Sequence, residues 1–302
     1  MILKNIGEFG LIERIAKHVK AGKGVIKGIG DDCAVLKWTR EKHLLATVDM
    51  LIEDEHFKRA VAPSAIGWKA LCCGISDIAA MGGVPKWALI SAGLPKDLSV
   101  AYVDKIYAGL AKAAKRFGVS IVGGDTNASR KMILDVTVFG EVKKENLVLR
   151  SGAKPGDLIF VTGSLGGSVY GKHLNFTPRL KEAQVLVKNF KVNSMIDISD
   201  GLSSDLGHIL EQSKAGAIVY EYLIPKSKRA RTIENALSDG EDFELLFTMP
   251  AKEALRLLEK KRKLFKMPVT RIGTIVGEKY DSKLVDIFGR KRDLQAKGFT
   301  HF

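Results

Sequence analysis

The stretch SAIGWKALCCGISDIAAMGGVPKWALISAGLP, residues 64–95, decides the fold of this chain. Its first part is apolar at nearly every position, follows Pro63 with Ser64 as the expected N-cap, and stops at a glycine pair. These features predict a helix packed in the interior. Residues 86–94 are rich in aliphatic side chains and predict a strand. A helix followed by such a strand is typical of layered α/β domains.

The same alternation continues on both sides of this stretch. Residues 99–117 have apolar side chains at spacings of three and four, which predicts an amphipathic helix closed by Gly118. Further strands are predicted at 43–52, 119–124, 131–142, 158–163, 196–198, 217–223, 243–249 and 270–277, and further helices at 202–212 and 251–263.

A change of texture near residue 150 indicates two domains. The segment RSGAKPGD combines glycine, proline and charge without periodicity, and a new apolar strand follows it at once. We therefore place an N-terminal domain at 1–150 and a C-terminal domain at 151–302. Both halves mix helices and strands, so the expected fold class is α+β with two α/β domains.

The composition excludes several classes of protein. The 302 residues carry 48 Lys and Arg against 34 Asp and Glu, a net charge of +14, and contain no long uncharged apolar run. We expect neither a transmembrane helix nor a signal peptide, and therefore a reduced, cytoplasmic protein without membrane partners. The basic balance could serve a nucleic-acid surface, heat adaptation or anionic substrates. Because the basic residues are dispersed and aromatic residues are few, nucleic acid is the unlikely partner.

Aspartates beside glycines are the chemically informative feature. They occur in GIGDD (31–32), TVDML (49), GISDI (77), IVGGDT (125) and IDISDGL (197 and 200). Asp beside Gly is usually a turn or a helix cap. Asp77 differs, because it is the only charged residue between Ala70 and Pro85 and would be a costly bare carboxylate inside a packed helix. Several hard oxygen ligands without Cys or His clusters favour Mg²⁺ over zinc and indicate phosphoryl or nucleotidyl chemistry.

One glycine-rich segment imitates a P-loop. Residues 166–173, GGSVYGKH, match the spacing of the phosphate-binding motif but place His173 where a Ser or Thr hydroxyl is needed. We interpret this segment as a turn that opens a helix.

Eight segments follow one another along nearly the whole chain: GEFGLIERI, GIGDDCAVL, TVDMLIEDEHF, SDIAAMGGVPKWALISAGLP, IVGGDT, RSGAKPGDLIFVTGSLG, IDISDGLSSDLGHI and DGEDFELLFT. In this order they resemble the thiamine-monophosphate kinase family of the aminoimidazole ribonucleotide synthetase-like superfamily. The resemblance implies ATP-dependent phosphorylation of thiamine monophosphate with Mg²⁺. It also implies a homodimer in which two N-terminal domains pair into a barrel-like assembly, and direct in-line transfer with no protein group as catalytic base.

Site residues follow from the same resemblance. The implied Mg²⁺ ligands are Asp32, Asp49, Asp77, Asp125 and Asp200, with Asp197, the Thr47 hydroxyl and the backbone of Val48 assisting. The implied ATP contacts are Tyr107, Gly124, Asp125, Arg150 and Ser199, and the implied thiamine phosphate contacts are His56, Glu241 and Phe299.

Two departures from the family pattern accompany it. Val48 stands where the family usually has a Thr. The segment EDEHF stands where the family usually has EGVHF, so that Asp54 and Glu55 lie beside His56. These two acids could complement the cationic thiazolium or could simply be solvated. Two other functions stay open: another ATPase of the superfamily that activates a carbonyl or amide oxygen, and a basic nucleotide- or nucleic-acid-binding module without catalysis.

Overall fold

A computed structural model describes residues 2–295 and Gly298 of this chain. In chain order the strands are β1 (Val25–Lys27), β2 (Ala34–Lys37), β3 (Lys42–Ile52), β4 (Val84–Leu94), β5 (Ser120–Ala128), β6 (Ile133–Lys143), β7 (Leu158–Thr162), β8 (Ser194–Asp197), β9 (Ala215–Tyr220), β10 (Leu245–Met249), β11 (Val269–Gly277), β12 (Lys283–Val285) and β13 (Lys291–Asp293). The helices are α1 (Gly7–Ala16), α2 (Pro63–Ala80), α3 (Val100–Phe117), α4 (Lys172–Asn175), α5 (Leu180–Asn189), α6 (Leu202–Ser213), α7 (Ile233–Ser238) and α8 (Ala251–Leu264).

The first half of the described chain is built on a sheet with the order β1-β2-β3-β6-β4-β5. Its neighbours are antiparallel except for β4 and β5, which run parallel. Alternate residues of β6 point into a core shared with α2 and α3, whereas the residues between them are only partly buried. The long strands β3 and β6 pair over their whole length, from Lys42 opposite Lys143 to Ile52 opposite Ile133.

Helix α2 begins differently from the sequence expectation. Ser64 is not the N-cap: the helix starts at Pro63, Ala62 occupies the cap position, and no side chain caps it. Proline is favoured at this first helical position because its fixed φ suits the helix and its missing N–H would have no partner there. By contrast, α3 ends as expected at left-handed Gly118, and the Ser99 side chain caps its start.

Two glycines set the distance between α2 and α3. A Cβ atom on Gly67 would lie 1.9 Å from the carbonyl oxygen of Ile106, and one on Gly109 would lie 2.0 Å from that of Ser64. Any side chain at these positions would force the helices apart. The close crossing buries Ile106 and Leu110 of α3 against α2.

The second half is built on a sheet with the order β13-β12-β9-β11-β7-β10-β8, in which only the β12 and β9 neighbours are parallel among the described strands. The predicted strand at 243–249 starts only at Leu245, because Phe243 has a left-handed backbone with φ 50°. The predicted strand at 217–223 ends at Tyr220 and continues as a short 3-10 turn.

Helix α2 joins the two halves. The indole N–H of Trp68 donates to the carbonyl oxygen of Phe176 at 2.8 Å, and the Ser76 hydroxyl donates to Asp197 at 2.5 Å. Just beyond the helix, the Gln184 amide donates to the carbonyl oxygen of Gly83 at 2.7 Å. One apolar helix is thus in contact with both sheets. No helix in the described part of the chain is long and apolar enough to cross a membrane.

Candidate active site

Three aspartates from separate elements meet where α2 lies against the second half of the chain. Asp32 is in the loop before β2, Asp77 is near the end of α2, and Asp197 ends β8. Their carboxylate oxygens lie within 4.8 Å of one another, and Asp32 and Asp197 are buried. We refer to Asp32, Asp77 and Asp197 as the carboxylate cluster. Asp77, the isolated charge in the sequence of α2, therefore lies beside two other carboxylates in the structure.

The hydrogen bonds of this cluster fix its geometry without neutralising its charge. The Thr47 hydroxyl donates to Asp77 at 2.5 Å, and the Ser76 hydroxyl donates to Asp197 at the same distance. Arg150 donates to Asp32 from two nitrogens, at 2.7 and 3.2 Å. Among residues 2–295, Arg150 is the cation that forms an ion pair with the cluster, and it reaches Asp32 alone.

Burial of several like charges raises the pKa of each carboxyl. Burial, reinforced by Asp49, raises the pKa of Asp77 well above its ordinary value. Burial together with Asp32 raises the pKa of Asp197 to about 8, and burial raises that of Asp49 to about 6 despite a hydrogen bond with Asp77. A bound cation would relieve this repulsion.

The donor set fits Mg²⁺. Asp32 and Asp49 each have a buried oxygen, Oδ2, without a hydrogen-bond partner among the described residues. Such unpartnered carboxylate oxygens, with no His or Cys in the carboxylate cluster, are the hard ligands that Mg²⁺ prefers. The predicted ligands Asp32, Thr47, Asp49, Asp77 and Asp197 therefore lie together.

A second acidic group lies at the start of α6. Carboxylate oxygens of Asp200 and Asp205 and a ring nitrogen of His208 are within 4.8 Å of one another. The Asp205 carboxylate accepts backbone N–H groups of Asp200 and Gly201 at 3.2 and 3.1 Å, which holds the loop that precedes the helix. The His208 ring packs edge-on against Phe9 of α1 at 4.6 Å, and burial lowers its pKa to about 4. A neutral His208 is thus the form at physiological pH.

The predicted substrate residues come from both halves. The Ile52 N–H donates to His56 Nδ1 at 3.0 Å, so the neutral ring carries its proton on Nε2. Glu241 lies in a loop with φ 53° and forms an ion pair with Lys69 of α2. Phe299 lies outside the described residues.

Other predicted residues lie apart from the carboxylate cluster within a single chain. The register places Asp49, Val136, Ile90 and Gly124 in one row across the sheet, and Met50, Asp135, Ser91 and Asp125 in the next. Adjacent rows project to opposite faces, so Asp125 points away from the face that carries Asp49.

The remaining predicted contacts have the following places. Val48 projects from the open face of the sheet and is 60% exposed, and Tyr107 lies on the outer side of α3. The carbonyl oxygen of Ser199 accepts the N–H of Glu241 at 2.6 Å. Ser199 is also not the N-cap of α6, where Gly201 stands.

In the P-loop-like segment 166–173, the backbone amides of two glycines are already used in hydrogen bonds within the protein. The N–H of Gly166 donates to Asp242 at 2.7 Å, and that of Gly167 donates to Asp239 at 2.8 Å. The helix that follows, α4, has four residues. The interpretation of this segment as a turn that opens a helix is therefore confirmed.

Sequence reasoning missed Lys69, Asp205 and His208. Lys69 and Asp77 are the only charged residues of α2 and are separated by eight positions, which places them on one side of the helix. That spacing was a usable signal. Asp205 and His208 are three positions apart in a helix of ordinary amphipathic composition, and no comparable signal distinguishes them.

The comparisons with known proteins extend over nearly the whole chain. Residues 30–142 match the family described as AIR synthase related protein, N-terminal domain, and residues 154–285 match its C-terminal domain. The chain is 36% identical to the thiamine-monophosphate kinase of Aquifex aeolicus, covering 100% of both. It is 35% identical to that of Bacillus subtilis, covering 98% of this chain and 99% of the relative. A solved structure of AaThiL complexed with AMPPCP and TMP superposes with a TM-score of 0.85 at 34% identity, covering 100% of this chain and 99% of that one.

Proposed function

Because this chain belongs to the thiamine-monophosphate kinase family, we propose that it phosphorylates thiamine monophosphate with ATP to give thiamine diphosphate and ADP. The single observation that supports the proposal best is the carboxylate cluster, in which only Asp32, of the three aspartates, has an ion pair among the described residues. Such a cluster is suited to bind a divalent metal, and phosphoryl transfer commonly uses a metal bound beside the nucleotide.

Magnesium would be held by Asp32, Asp77 and Asp197, with Asp49 and the Thr47 hydroxyl beside them. Bound there, Mg²⁺ would neutralise negative charge on the transferring phosphates. We assign Asp200 to the same role at the edge of the site. Arg150, Gly124, Ser199 and Tyr107 are assigned to ATP.

In-line transfer to a phosphate monoester requires no general base. The acceptor has a second pKa of about 6 and is largely ionised at neutral pH, so its oxygen is already a nucleophile. The residues of this chain then have to orient two anions and exclude water, and we assign no residue as a catalytic base. His56 and Glu241 would orient thiamine monophosphate, and the Glu241 carboxylate is suited to its cationic ring.

The boundary between the two domains would lie near residue 150. Two copies of the chain would form a homodimer. All nine residues of β5, which has one sheet neighbour, are exposed. Val48, Met50 and Val122 add apolar surface, with exposures of 60%, 49% and 58%. An open strand edge beside exposed apolar side chains is the kind of surface that proteins cover. A second copy here would bring Asp125 and Gly124 into an enclosed site.

A product assay tests the reaction. The purified protein is incubated with ATP and Mg²⁺ and with thiamine monophosphate, free thiamine or aminoimidazole precursors, and the products are separated. We expect thiamine diphosphate from the monophosphate alone, because free thiamine presents no ionised phosphate oxygen. Efficient phosphorylation of free thiamine would refute the proposal, as would product from the aminoimidazole precursors alone.

Light scattering tests whether the protein is a homodimer. RNA binding measured at several salt concentrations tests whether the net positive charge serves a nucleic acid. A monomer with full activity at micromolar concentration would contradict the homodimer. RNA binding that weakens steeply with salt, in the absence of kinase turnover, would instead favour the nucleic-acid alternative.

A further inference from the structure

Lys69 is a fully buried lysine that contacts both predicted substrate residues. Its side chain has 0% exposure, and its ammonium donates to the carbonyl oxygen of His56 at 3.0 Å and to Glu241 Oε1. A buried ammonium is costly unless it is paired and hydrogen-bonded, and here both partners hold it in place.

Each partner is otherwise fixed by its backbone. The N–H of Glu241 donates to Ser199 at 2.6 Å and its carbonyl accepts the Ser168 hydroxyl at 2.7 Å. The His56 N–H donates to the carbonyl oxygen of Ile52 at 3.0 Å. These bonds hold the backbone of Glu241 but not its carboxylate, which is 23% exposed, so the ion pair with Lys69 determines where the carboxylate points.

We propose that Lys69 is a positioning residue that orients Glu241 and the His56 loop for thiamine monophosphate, and so sets the affinity for the acceptor without contacting ATP. The inference rests on the proposed function and assigns a residue that the family resemblance did not include. Lys69 occupies Oε1 of Glu241 and leaves Oε2 for the cationic ring of the acceptor. Because Lys69 belongs to α2 and Glu241 to the second half, the pair also fixes how the two halves face each other at this point.

The test compares Lys69→Met with the wild type. The substitution keeps length and apolar packing and removes the charge and its hydrogen bonds. Because hydrogen bonds to charged groups are worth about tenfold to hundredfold in an equilibrium, KM for thiamine monophosphate should rise by about that factor while KM for ATP is unchanged. Titration calorimetry with thiamine monophosphate should show the same loss of affinity.

A double-mutant cycle separates positioning from general damage. If Lys69 acts through Glu241, the variant Lys69→Met/Glu241→Gln should bind thiamine monophosphate no worse than the weaker single variant. Ile75→Val, at another fully buried position of α2, should lower the melting temperature and leave both KM values unchanged. An equal rise in both KM values for Lys69→Met, or additive losses in the double variant, would overturn the proposal.

If Lys69→Met does not fold, Glu241→Gln can be tested instead. The Glu241 side chain is partly exposed, so this substitution disturbs the interior less. An unchanged KM for thiamine monophosphate in this variant would overturn the positioning role. Absence of kinase activity in the wild type would instead refute the proposed function, so the two failures are distinguishable.

Discussion

Two buried acidic groups in this molecule differ in how their charge is compensated. In the carboxylate cluster, Arg150 is the cation that forms an ion pair among the described residues, and of the three aspartates it pairs with Asp32 alone. In the second half, Glu244 accepts from Arg179 at 2.5 and 2.6 Å, from Lys172 at 2.9 Å and from the Thr162 hydroxyl at 2.8 Å. We call this group the ion-pair cluster.

The difference separates a binding site from a structural brace. In the ion-pair cluster the chain supplies its own cations, and Glu244, with 1% side-chain exposure, needs nothing from solution. In the carboxylate cluster burial raises the pKa of every member, because the chain supplies too few cations. Removing a carboxylate should therefore harm folding in one place and catalysis in the other.

The largest effect is expected for Glu244→Gln. It would leave Arg179 without its buried carboxylate partner and Lys172 with Asp242 alone at 3.6 Å, so the free energy of unfolding should fall by about 3 to 5 kcal/mol. Chemical denaturation measures this loss. Glu253→Gln is the matched control, because Glu253 pairs with Arg256 at 2.7 Å near the surface and should change stability by less than about 1 kcal/mol. A Glu244→Gln protein as stable as the wild type would remove the contrast between the clusters.

Asp77→Asn tests the other side of the comparison. If Asp77 holds Mg²⁺ against ATP, kcat should fall at least about 100-fold, a barrier increase of about 2.7 kcal/mol. Without Mg²⁺ the variant should melt at the same or a higher temperature, because asparagine avoids the cost of burying an ionisable carboxyl beside other aspartates. Steady-state kinetics and melts in a chelator measure the two quantities. A destabilised but active variant would show that Asp77 only braces the helix.

The metal-free protein should lose stability as pH rises above about 6.5. Asp197 has a folded pKa of about 8 against an ordinary value of 3.8, so the folded state holds a proton that the unfolded state has released. This contribution is present in full below the unfolded pKa, is lost progressively between the unfolded and folded values by up to about 1.4 kcal/mol per pH unit, and is gone above the folded value. The burial of neutral His208, with its pKa of about 4, acts in the opposite sense and only at lower pH.

Denaturation at several pH values in a chelator, repeated with excess Mg²⁺, measures this slope. Mg²⁺ should flatten it, because the bound ion favours ionised carboxylates in the folded state. Asp197→Asn should flatten it without Mg²⁺. A stability that is constant over this range in the chelator would show that the cluster is compensated after all.

All three members of the carboxylate cluster were expected from the sequence, whereas the ion-pair cluster was not. Asp77 is conspicuous because an isolated charge in an apolar helix demands an explanation, whereas Glu244 follows other acids in DGEDFELL and resembles a solvated turn. Helix ends at Ser99 and Gly118 were predictable from local capping. The order of strands in the sheets was not predictable, because the row that carries Asp125 depends on pairing between strands distant in the chain. The late start of β10 was not predictable either, because it depends on the left-handed backbone of Phe243.

The smallest effect concerns an exposed acid. Asp54 is half-exposed, lies 3.6 Å from both Lys58 and Lys131, and has a left-handed backbone with φ 74° at the position where the family pattern has glycine. Exposed ion pairs contribute little, whereas a left-handed residue other than glycine is strained. Asp54→Gly should therefore stabilise the protein by about 0.5 to 1 kcal/mol. Glu55→Gly, at the next exposed position but without positive φ, should destabilise it, because glycine there only adds freedom to the unfolded chain. If Asp54 is merely solvated, KM for thiamine monophosphate stays unchanged in Asp54→Gly. A raised KM would mean that this acid complements the cationic acceptor, and would add a third kind of carboxylate to the comparison.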